Sequence, residues 1–237
     1  MSRAVDRGAV PAVTVPRLAL YLRKLRELQV RGVERISSQD LAGLVELNAA
    51  QIRKDLSYFG EFGVRGVGYE VPRLITEISR SLGLERVWNV IIVGAGQLGT
   101  ALAWHKGLSQ QTFRLVGVFD ISPRKIGASY GEGHVISVSD LEEFCAARRG
   151  IHEPVDIALL TVPGPAAQAT LDRLVKAGIK AVLNFAPVRV TAGPDVMVRQ
   201  VDLSGELMSL SFFLNNSGRA GHEDPGEGGS DDSGWTG

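Results

Sequence analysis

A glycine-rich segment of the chain has the spacing of a loop that binds a dinucleotide. Gly94-Ala95-Gly96-Gln97-Leu98-Gly99 follows the apolar run 90–93 and precedes a predicted helix. In a G-x-G-x-x-G loop, the first glycine permits a tight turn, the second lets the backbone approach a pyrophosphate, and the third lets the helix pack closely on the strand. The helix N-terminus adds free N–H groups and a partial positive charge. We therefore expect all six residues to belong to a cofactor site.

An acidic residue lies where the ribose of such a cofactor would be recognised. Asp120 ends the second predicted strand, 21 residues after Gly99. A carboxylate there can accept hydrogen bonds from the ribose diol, which favours NADH and NAD+ over their 2′-phosphorylated forms. Lys125, beside Arg124, is a further candidate cofactor ligand that could tolerate a 2′-phosphate. A solvated turn explains the Arg124–Lys125 pair more simply.

Two later segments are predicted to line the nicotinamide side of the site. Thr161-Val162-Pro163 follows one buried strand, and Asn184-Phe185 follows the next. Ligands of open α/β sheets bind outside the carboxyl ends of the strands, so both segments are candidate cofactor ligands. Packing in the core explains Phe185 equally well.

A second group of polar residues has the pattern of a helix that reads DNA. In the predicted helix 49–59, Ile52, Leu56 and Phe59 recur at i, i+4 and i+7, as on a buried face. The side chains that could bind bases or phosphates are Gln51, Arg53, Lys54, Ser57 and Tyr58. Glutamine can pair with adenine, arginine with guanine, and lysine with guanine or phosphate. We expect this helix to enter a major groove.

The neighbouring segments complete a winged helix-turn-helix. A short predicted helix at 37–47 precedes the candidate recognition helix across a tight connection, as in a helix-turn-helix. The glycine-rich segment 60–69 is typical of a β-hairpin. It would form a wing with Arg65 at its tip, able to enter a minor groove. A small helical bundle with a solvated basic face explains the composition almost as well.

The order of elements predicts an α/β protein with an N-terminal DNA-binding domain. We expect a flexible arm at residues 1–15 and a winged-helix domain at 16–84. The predicted helices of this domain are 17–30, 37–47, 49–59 and 72–81. In residues 85–202, strands alternate with helices, which predicts a Rossmann domain with a doubly wound parallel sheet. The predicted strands are 90–93, 115–119, 135–138, 157–162, 181–185 and 196–201, and the predicted helices are 98–107, 140–149 and 165–177.

The C-terminal part divides into an apolar helix and a polar tail. Residues 203–214 place Leu203, Leu207 and Leu210 on one face, together with Phe213 and Leu214. Such a helix needs a surface to cover it. Residues 215–237 are rich in glycine, serine and acidic residues, so we expect them to be disordered.

Charge and cysteine content exclude several classes of protein. The formal net charge is zero, but residues 1–83 carry +4 and residues 215–237 carry −4, so a phosphate-binding surface is expected near the N-terminus. The single cysteine, Cys145, excludes a disulfide framework and a cysteine metal cluster, as is usual in a reducing cytoplasm. No apolar run reaches the roughly 18 residues of a membrane span. We expect a cytoplasmic protein with no metal and no membrane segment.

The helix and wing residues resemble a known family. Gln51-Ile52-Arg53-Lys54-Asp55-Leu56-Ser57-Tyr58-Phe59-Gly60, followed by Phe62-Gly63 and by Arg65-Gly66-Val67-Gly68-Tyr69, is similar to the recognition helix and wing of the Rex redox-sensing transcriptional repressors. The similarity continues in order through residues 94–99, 119–120, 166–168, 177–180, 183–187 and 201–214. It covers residues 16–214 as a whole.

The resemblance implies a function and an assembly. Members of the family are homodimers that bind a pseudo-palindromic operator when NADH is scarce and leave it when NADH binds, which regulates respiratory and fermentative genes. The C-terminal helix, here 203–214, crosses to the partner as a domain-swapped dimerisation helix and wedges between the partner's two domains.

The resemblance also implies a switch. It suggests a contact between an arginine of the first helix, here Arg23, and an aspartate near the swapped helix, here Asp202. Exposed charges explain both residues equally well. His105 departs from the family, because a tyrosine is expected at this position near the nicotinamide, and its role in the switch is open.

An NAD-dependent oxidoreductase is the rival interpretation. Such an enzyme needs a proton donor and a substrate pocket beside the cofactor. Of the four histidines only His105 is a candidate donor, and the segment after the Rossmann part is too short for a catalytic domain. A bare cofactor-binding scaffold would leave the helix and wing unexplained. The sequence therefore predicts a repressor, with no catalytic residue, rather than an enzyme.

Overall fold

A computed structural model describes Pro11 and residues 13–58, 63–64, 68–105, 112–131 and 133–217. These residues fall into two compact units. The first extends to Trp88 and includes residues 112–114, within which a later strand begins. The second contains the remaining described residues from Asn89 onward. Each unit has its own hydrophobic core.

The first unit has the element order of a winged helix. Its elements are α1 (Thr14–Val30), β1 (Arg35–Ile36), α2 (Ser38–Leu44), α3 (Ala49–Ser57), β2 (Gly63–Val64), β3 (Gly68–Glu70) and α4 (Val71–Ser81). The three strands form an antiparallel sheet in the order β1-β3-β2. The predicted hairpin is therefore present, and its tip, with Arg65, lies outside the described residues. Gly68 lies where β3 passes β1, since a Cβ atom there would be 2.6 Å from the carbonyl oxygen of Ile36.

Local signals placed the helices of this unit correctly, with shifted ends. The Ser37 side chain accepts a hydrogen bond from the Asp40 N–H at 3.0 Å, and the Asn48 side chain accepts one from the Gln51 N–H at 2.8 Å. Ser37 and Asn48 are therefore the N-caps of α2 and α3. The second helix ends at Leu44 instead of Leu47, because the backbone turns out of the helical region at Glu46, where φ is 54°. Strand β1 was missed, since two residues carry no periodicity.

The candidate recognition helix is held to the first helix by a buried carboxylate. Asp55 of α3 is fully buried. Its Oδ2 accepts from Arg17 Nε at 2.6 Å and from Tyr21 Oη at 2.7 Å, both on α1. Its Oδ1 accepts from Arg17 Nη2 and from Gln51 Nε2, each at 2.7 Å. Two donors on each oxygen fill the acceptor capacity of a carboxylate. Sequence reasoning missed Asp55, because a charged residue on a basic helix normally faces water.

Because of the Asp55 contacts, the stability of this unit should depend on pH. Burial alone would raise the pKa of Asp55, but the hydrogen bonds from Arg17, Tyr21 and Gln51 outweigh it and lower the pKa. A lowered folded-state pKa adds stability above the ordinary carboxyl value of about 3.9, and that stability is lost as the pH falls through the lowered value.

We expect Asp55→Asn to lower the free energy of unfolding at pH 7 by about 3 kcal/mol, because it leaves Arg17 without its charged partner. The deficit should shrink as the pH falls from about 5 to about 2, where the wild-type carboxyl also protonates. Thermal unfolding of both proteins across that range measures it. Asp172→Asn is the matched control, since Asp172 accepts from Gln168 at 2.8 Å in an exposed pair. A deficit that does not vary with pH would contradict the assignment.

The second unit is a Rossmann sheet. Its elements are β4 (Trp88–Val93), α5 (Gln97–Ala103), β5 (Phe113–Asp120), β6 (Ser129–Tyr130), β7 (Gly133–Ser137), α6 (Leu141–Gly150), β8 (Ile157–Leu160), α7 (Gly164–Lys176), β9 (Ala181–Asn184), β10 (Met197–Gln200) and α8 (Leu203–Ser217), with β4 and β5 beginning in the first unit. The seven strands lie in the order β10-β9-β8-β4-β5-β7-β6. The order of the strands without β6 is that of a dinucleotide-binding sheet, and it reverses between β4 and β8. Ligands bind at this switch point.

Several boundaries in this unit differ from the prediction. Helix α5 ends at Ala103, so His105 follows the helix and does not lie on it. Strand β6, a two-residue antiparallel edge strand, was missed. Helix α8 extends through Ser217, three residues into the predicted tail, and residues 218–237 lie outside the described part. No helix among the described residues is long and apolar enough to cross a membrane.

Candidate functional site

The glycine loop has the backbone geometry that its spacing predicts. Gly94 has φ +110°, and a Cβ atom there would lie 2.6 Å from the carbonyl oxygen of Thr161. A Cβ atom on Gly99 would overlap the carbonyl oxygen of Gly94. A Cβ atom on Gly96 would meet no atom within 4 Å, so this position faces open space that a phosphate could occupy. The three glycines therefore differ in role as the motif requires.

Two side chains fix the loop to the strands beside it. Thr161 Oγ1 donates to the Gly94 carbonyl at 2.7 Å, which joins the end of β8 to the end of β4. The Asp120 carboxylate, nearly fully buried, accepts from the Ala95 N–H at 2.7 Å, from the Ser122 N–H at 2.8 Å and from Lys125 Nζ at 3.0 Å. Burial alone would raise the pKa of Asp120, but these three bonds lower it, so the group is an anion at neutral pH.

Asp120, the predicted ribose ligand, is thus already hydrogen-bonded to the loop through the Ala95 N–H. Asp120 Oδ1 accepts one hydrogen bond and Oδ2 accepts two, so the carboxylate keeps acceptor capacity on Oδ1. A ribose diol would share the carboxylate with Lys125. Lys125 neutralises the Asp120 carboxylate, and its ammonium group could also donate a hydrogen bond to a ligand oxygen.

A cleft of about 590 Å³ opens at the switch point between β4 and β8. Seven of the predicted cofactor residues line it: Gly94, Gly96, Asp120, Lys125, Thr161, Val162 and Pro163. Its other walls were not predicted: Val93, Ile121, Ser122, Val138, Ala166, Ala169, Thr170 and Arg173. The last four form a stripe at i, i+3, i+4 and i+7 on α7, a helical periodicity that could have identified them.

The remaining predicted cofactor residues have other surroundings. Ala95 and Gly99 are buried, whereas Gln97 and Leu98 are exposed on the first turn of α5. The Asn184 side chain is fully buried and does not line the cleft: its amide donates to Val188 O and Gln200 Oε1, and its oxygen accepts from the Ala186 N–H. Phe185 is half-buried, and its N–H donates to Leu160 O. Asn184 therefore supports the fold around β9 and does not present a polar group to the cleft.

The three predicted switch residues are exposed. Arg23 lies on α1 at the edge of an apolar hollow of the first unit that also includes Leu22 and Leu82. His105 follows α5, and its N–H donates to Leu102 O. Asp202 belongs to the second unit and accepts from the Gly205 N–H at 3.0 Å, so it caps the N-terminus of α8. The capping role of Asp202 was not predicted.

The candidate recognition helix presents a basic polar face. Ile52 and Leu56 are buried as predicted. Arg53, Lys54 and Ser57 are exposed, so this face is centred on them, while Gln51 and Tyr58 are half-buried at its margins. Arg53 Nη1 donates to Ser38 Oγ of α2 at 2.9 Å, which ties the two helices of the helix-turn-helix together. Three of the five residues predicted to bind DNA through this helix are therefore exposed, and the other two are partly exposed.

A winged helix and a Rossmann cleft on one chain define a DNA-binding regulator with a nucleotide-binding domain. Two family models match the chain: "CoA binding domain" at residues 85–188 and "Putative DNA-binding protein N-terminus" at residues 9–57. The redox-sensing transcriptional repressor Rex of Carboxydothermus hydrogenoformans is 43% identical over 205 residues, which cover 86% of this chain and 96% of that protein. Rex of Thermus thermophilus is 46% identical over 207 residues, which cover 87% and 95%.

Solved structures agree in fold. RSP in complex with β-NAD+ and operator DNA is 39% identical, with a TM-score of 0.83 over 91% of this chain and 97% of that one. RSP in complex with β-NADH is 38% identical, with a TM-score of 0.81 over 91% and 99%. The chain belongs to the Rex family of redox-sensing transcriptional repressors. Because the relatives are repressors, the prediction of a regulator over an oxidoreductase is confirmed.

Proposed function

We propose that this chain is a repressor that binds operator DNA when NADH is scarce and releases it when NADH occupies the cleft. One observation carries the proposal: a dinucleotide-type glycine loop and an exposed basic recognition helix lie on the same chain. RSP, with the same fold, has been captured with NAD+ and operator DNA together and, separately, with NADH. Such a repressor acts in the cytoplasm.

The residues proposed to bind the cofactor lie along the cleft. The pyrophosphate would face the backbone of 94–99 at the start of α5, where free N–H groups attract phosphate. Asp120 and Lys125 would hold the adenosine ribose. Thr161, Val162 and Pro163, at the end of the neighbouring strand, would line the other side. The base would lie along the α7 stripe that ends at Arg173.

The residues proposed to contact DNA are on α3 and the wing. Arg53, Lys54 and Ser57 are exposed and would face the major groove, with Gln51 and Tyr58 at the margins. Arg65 is proposed at the wing. The first half of α3 would approach the bases, as is usual for the second helix of a helix-turn-helix.

The active form is proposed to be a homodimer that shares α8. Seven large apolar side chains of this helix are 60–72% exposed: Leu203, Leu207, Met208, Leu210, Phe212, Phe213 and Leu214. Large exposed apolar patches mark surfaces that bind a partner, and a second copy of the chain is the partner that matches a pseudo-palindromic operator. In this dimer we propose that Arg23 and Asp202 form the switch contact, with His105 near the nicotinamide.

We expect Asp120→Ala to weaken the binding of NADH and of NAD+ by similar factors. The preference for NADH over NADPH should also become smaller. The variant removes the ribose acceptor, the anion that repels a 2′-phosphate, and the partner of the Ala95 N–H. Loss of a hydrogen bond to a charged group costs about 1.5–3 kcal/mol, or roughly 10- to 150-fold in affinity. Fluorescence titration with each nucleotide measures it. Asp172→Ala, which lies outside the cleft, is the control. Unchanged NADH affinity would remove Asp120 from the ribose site.

The sensor function is tested by reciprocity between the two ligands. If NADH lowers the affinity for operator DNA, operator DNA must lower the affinity for NADH by the same factor. The operator is first selected from randomised duplex DNA by the protein with NAD+. The dissociation constant for NADH is then measured with and without saturating operator, and operator binding is measured across NADH:NAD+ ratios. Equal dissociation constants for NADH with and without operator would show that cofactor binding in the cleft is not coupled to DNA binding.

A further inference from the structure

The side-chain amide of Gln51, on the candidate recognition helix, is held by a buried carboxylate. Its Nε2 donates to Asp55 Oδ1 at 2.7 Å, one helical turn later on α3. The other acceptor sites of Asp55 are filled by Arg17 and Tyr21 of α1. Asp55 is fully buried and each of its two oxygens accepts two hydrogen bonds, which hold the carboxylate in one orientation.

This contact determines which way the Gln51 amide points. An ionised carboxylate only accepts hydrogen bonds, so the nitrogen of the amide must face Asp55. The amide oxygen and the second N–H hydrogen then point away from Asp55. Within the part of the chain that the structure describes, neither makes a hydrogen bond. A glutamine with one free acceptor and one free donor in a fixed order has the pattern that pairs with the N6 and N7 edge of adenine.

We propose that Asp55 is a positioning residue for base recognition: it presets the Gln51 amide, so that Gln51 discriminates one base pair of each half-site. The inference rests on the proposed function of α3 as the reading helix. It also assigns different roles in DNA binding to different residues of that helix. Lys54 and Arg53 supply exposed charge, which acts on any sequence through the phosphates, whereas the Asp55–Gln51 pair supplies selectivity at a single position.

The prearrangement has a physical benefit for recognition. A free glutamine side chain samples several rotamers and both amide orientations, and ordering it on binding costs up to about 1.5–2 kcal/mol. Because of the bond to Asp55, this ordering takes place during folding and not during binding. Since α1 provides the donors that hold Asp55, the orientation of a DNA-reading side chain is set by a helix outside the helix-turn-helix.

The chain contains a matched control for the pair. Gln168 and Asp172 on α7 form the same i, i+4 contact, with Gln168 Nε2 donating to Asp172 Oδ1 at 2.8 Å. This pair is exposed, lies in the other unit, and does not line the cleft. Gln168→Ala removes this pair, together with the two hydrogen bonds between the Gln168 amide and the Thr191 backbone, without touching α3.

The experiment measures discrimination at every base pair of the half-site. The selected operator and all its single base-pair variants are titrated with wild type, Gln51→Ala, Asp55→Asn, the double variant, Lys54→Ala and Gln168→Ala. We expect Gln51→Ala to reduce discrimination roughly 5- to 150-fold at one base pair and to leave the others unchanged. Asp55→Asn should lose discrimination at the same base pair. The double variant should lose no more there than Gln51→Ala alone, because the two residues act as one unit.

Each alternative has its own outcome. If Asp55 is only structural, Asp55→Asn weakens binding to every duplex equally and its effect adds to that of Gln51→Ala, which overturns the proposal. If Asp55→Asn does not fold, the test rests on Gln51→Ala. Full discrimination by Gln51→Ala at every base pair then overturns the proposal. If Lys54→Ala weakens binding uniformly while Gln51→Ala has no effect, α3 still reads DNA and only this inference fails. If no α3 variant changes operator binding, the proposed function of α3 fails as well. Gln168→Ala should match wild type throughout.

Discussion

A chain that ends at Asp202 is expected to be monomeric, to bind operator DNA about 10²- to 10⁴-fold more weakly, and to lose its response to NADH. The truncation removes α8, whose seven large apolar side chains are 60–72% exposed. Burying one such side chain contributes about 1.5–3 kcal/mol, so α8 can supply a large part of the association energy of a dimer. A dimer holds its second recognition helix at high effective concentration over the second half-site, and a monomer loses that advantage.

The truncation has a matched control in the same segment. A chain that ends at Ser217 removes only residues 218–237 and keeps α8 whole. It should stay dimeric, bind operator like the full chain and respond to NADH. Light scattering after gel filtration measures mass, and fluorescence anisotropy of labelled operator at several NADH concentrations measures binding. A protein ending at Asp202 that remains dimeric and NADH-responsive would exclude α8 from both assembly and signalling.

Gly99→Ala is expected to give a repressor that binds operator and responds to NADH only at roughly 5- to 150-fold higher concentrations. The new Cβ atom would overlap the carbonyl oxygen of Gly94, which is also the acceptor for Thr161 Oγ1. The conflict is with backbone and not with a flexible side chain, so the loop must move. Overpacking of this kind costs about 1–3 kcal/mol, which corresponds to a roughly 5- to 150-fold loss in NADH affinity if the loop bears the shift.

The control for Gly99→Ala is a glycine of the same unit with free space around it. Gly150 ends α6, and a Cβ atom there would meet no atom within 4 Å. Gly150→Ala should therefore bind NADH like wild type. Calorimetry with NADH and operator titration with and without NADH separate the two variants. Wild-type NADH affinity in Gly99→Ala would mean that the loop does not hold the pyrophosphate.

Much of this molecule is determined by its local sequence. The G-x-G-x-x-G loop, the buried strand before it and the acid at the end of the next strand predicted a Rossmann cleft, because turn geometry and strand burial depend on residues close together in the chain. The caps at Ser37 and Asn48 are also local, since each bonds to a backbone N–H three residues later. The spacing of Ile52 and Leu56 identified the buried side of α3 for the same reason.

Contacts between distant parts of the chain decided the rest. Asp55 is buried because Arg17 and Tyr21, 38 and 34 residues earlier, supply the donors that a buried carboxylate requires. Arg173 lines the cleft only because of how α7 lies against the sheet. Asn184 turns inward because its amide donates to Gln200 on the neighbouring strand. Local periodicity contains no information about such partners. The tertiary structure alone therefore decided which polar side chains support the fold and which are left to bind a ligand.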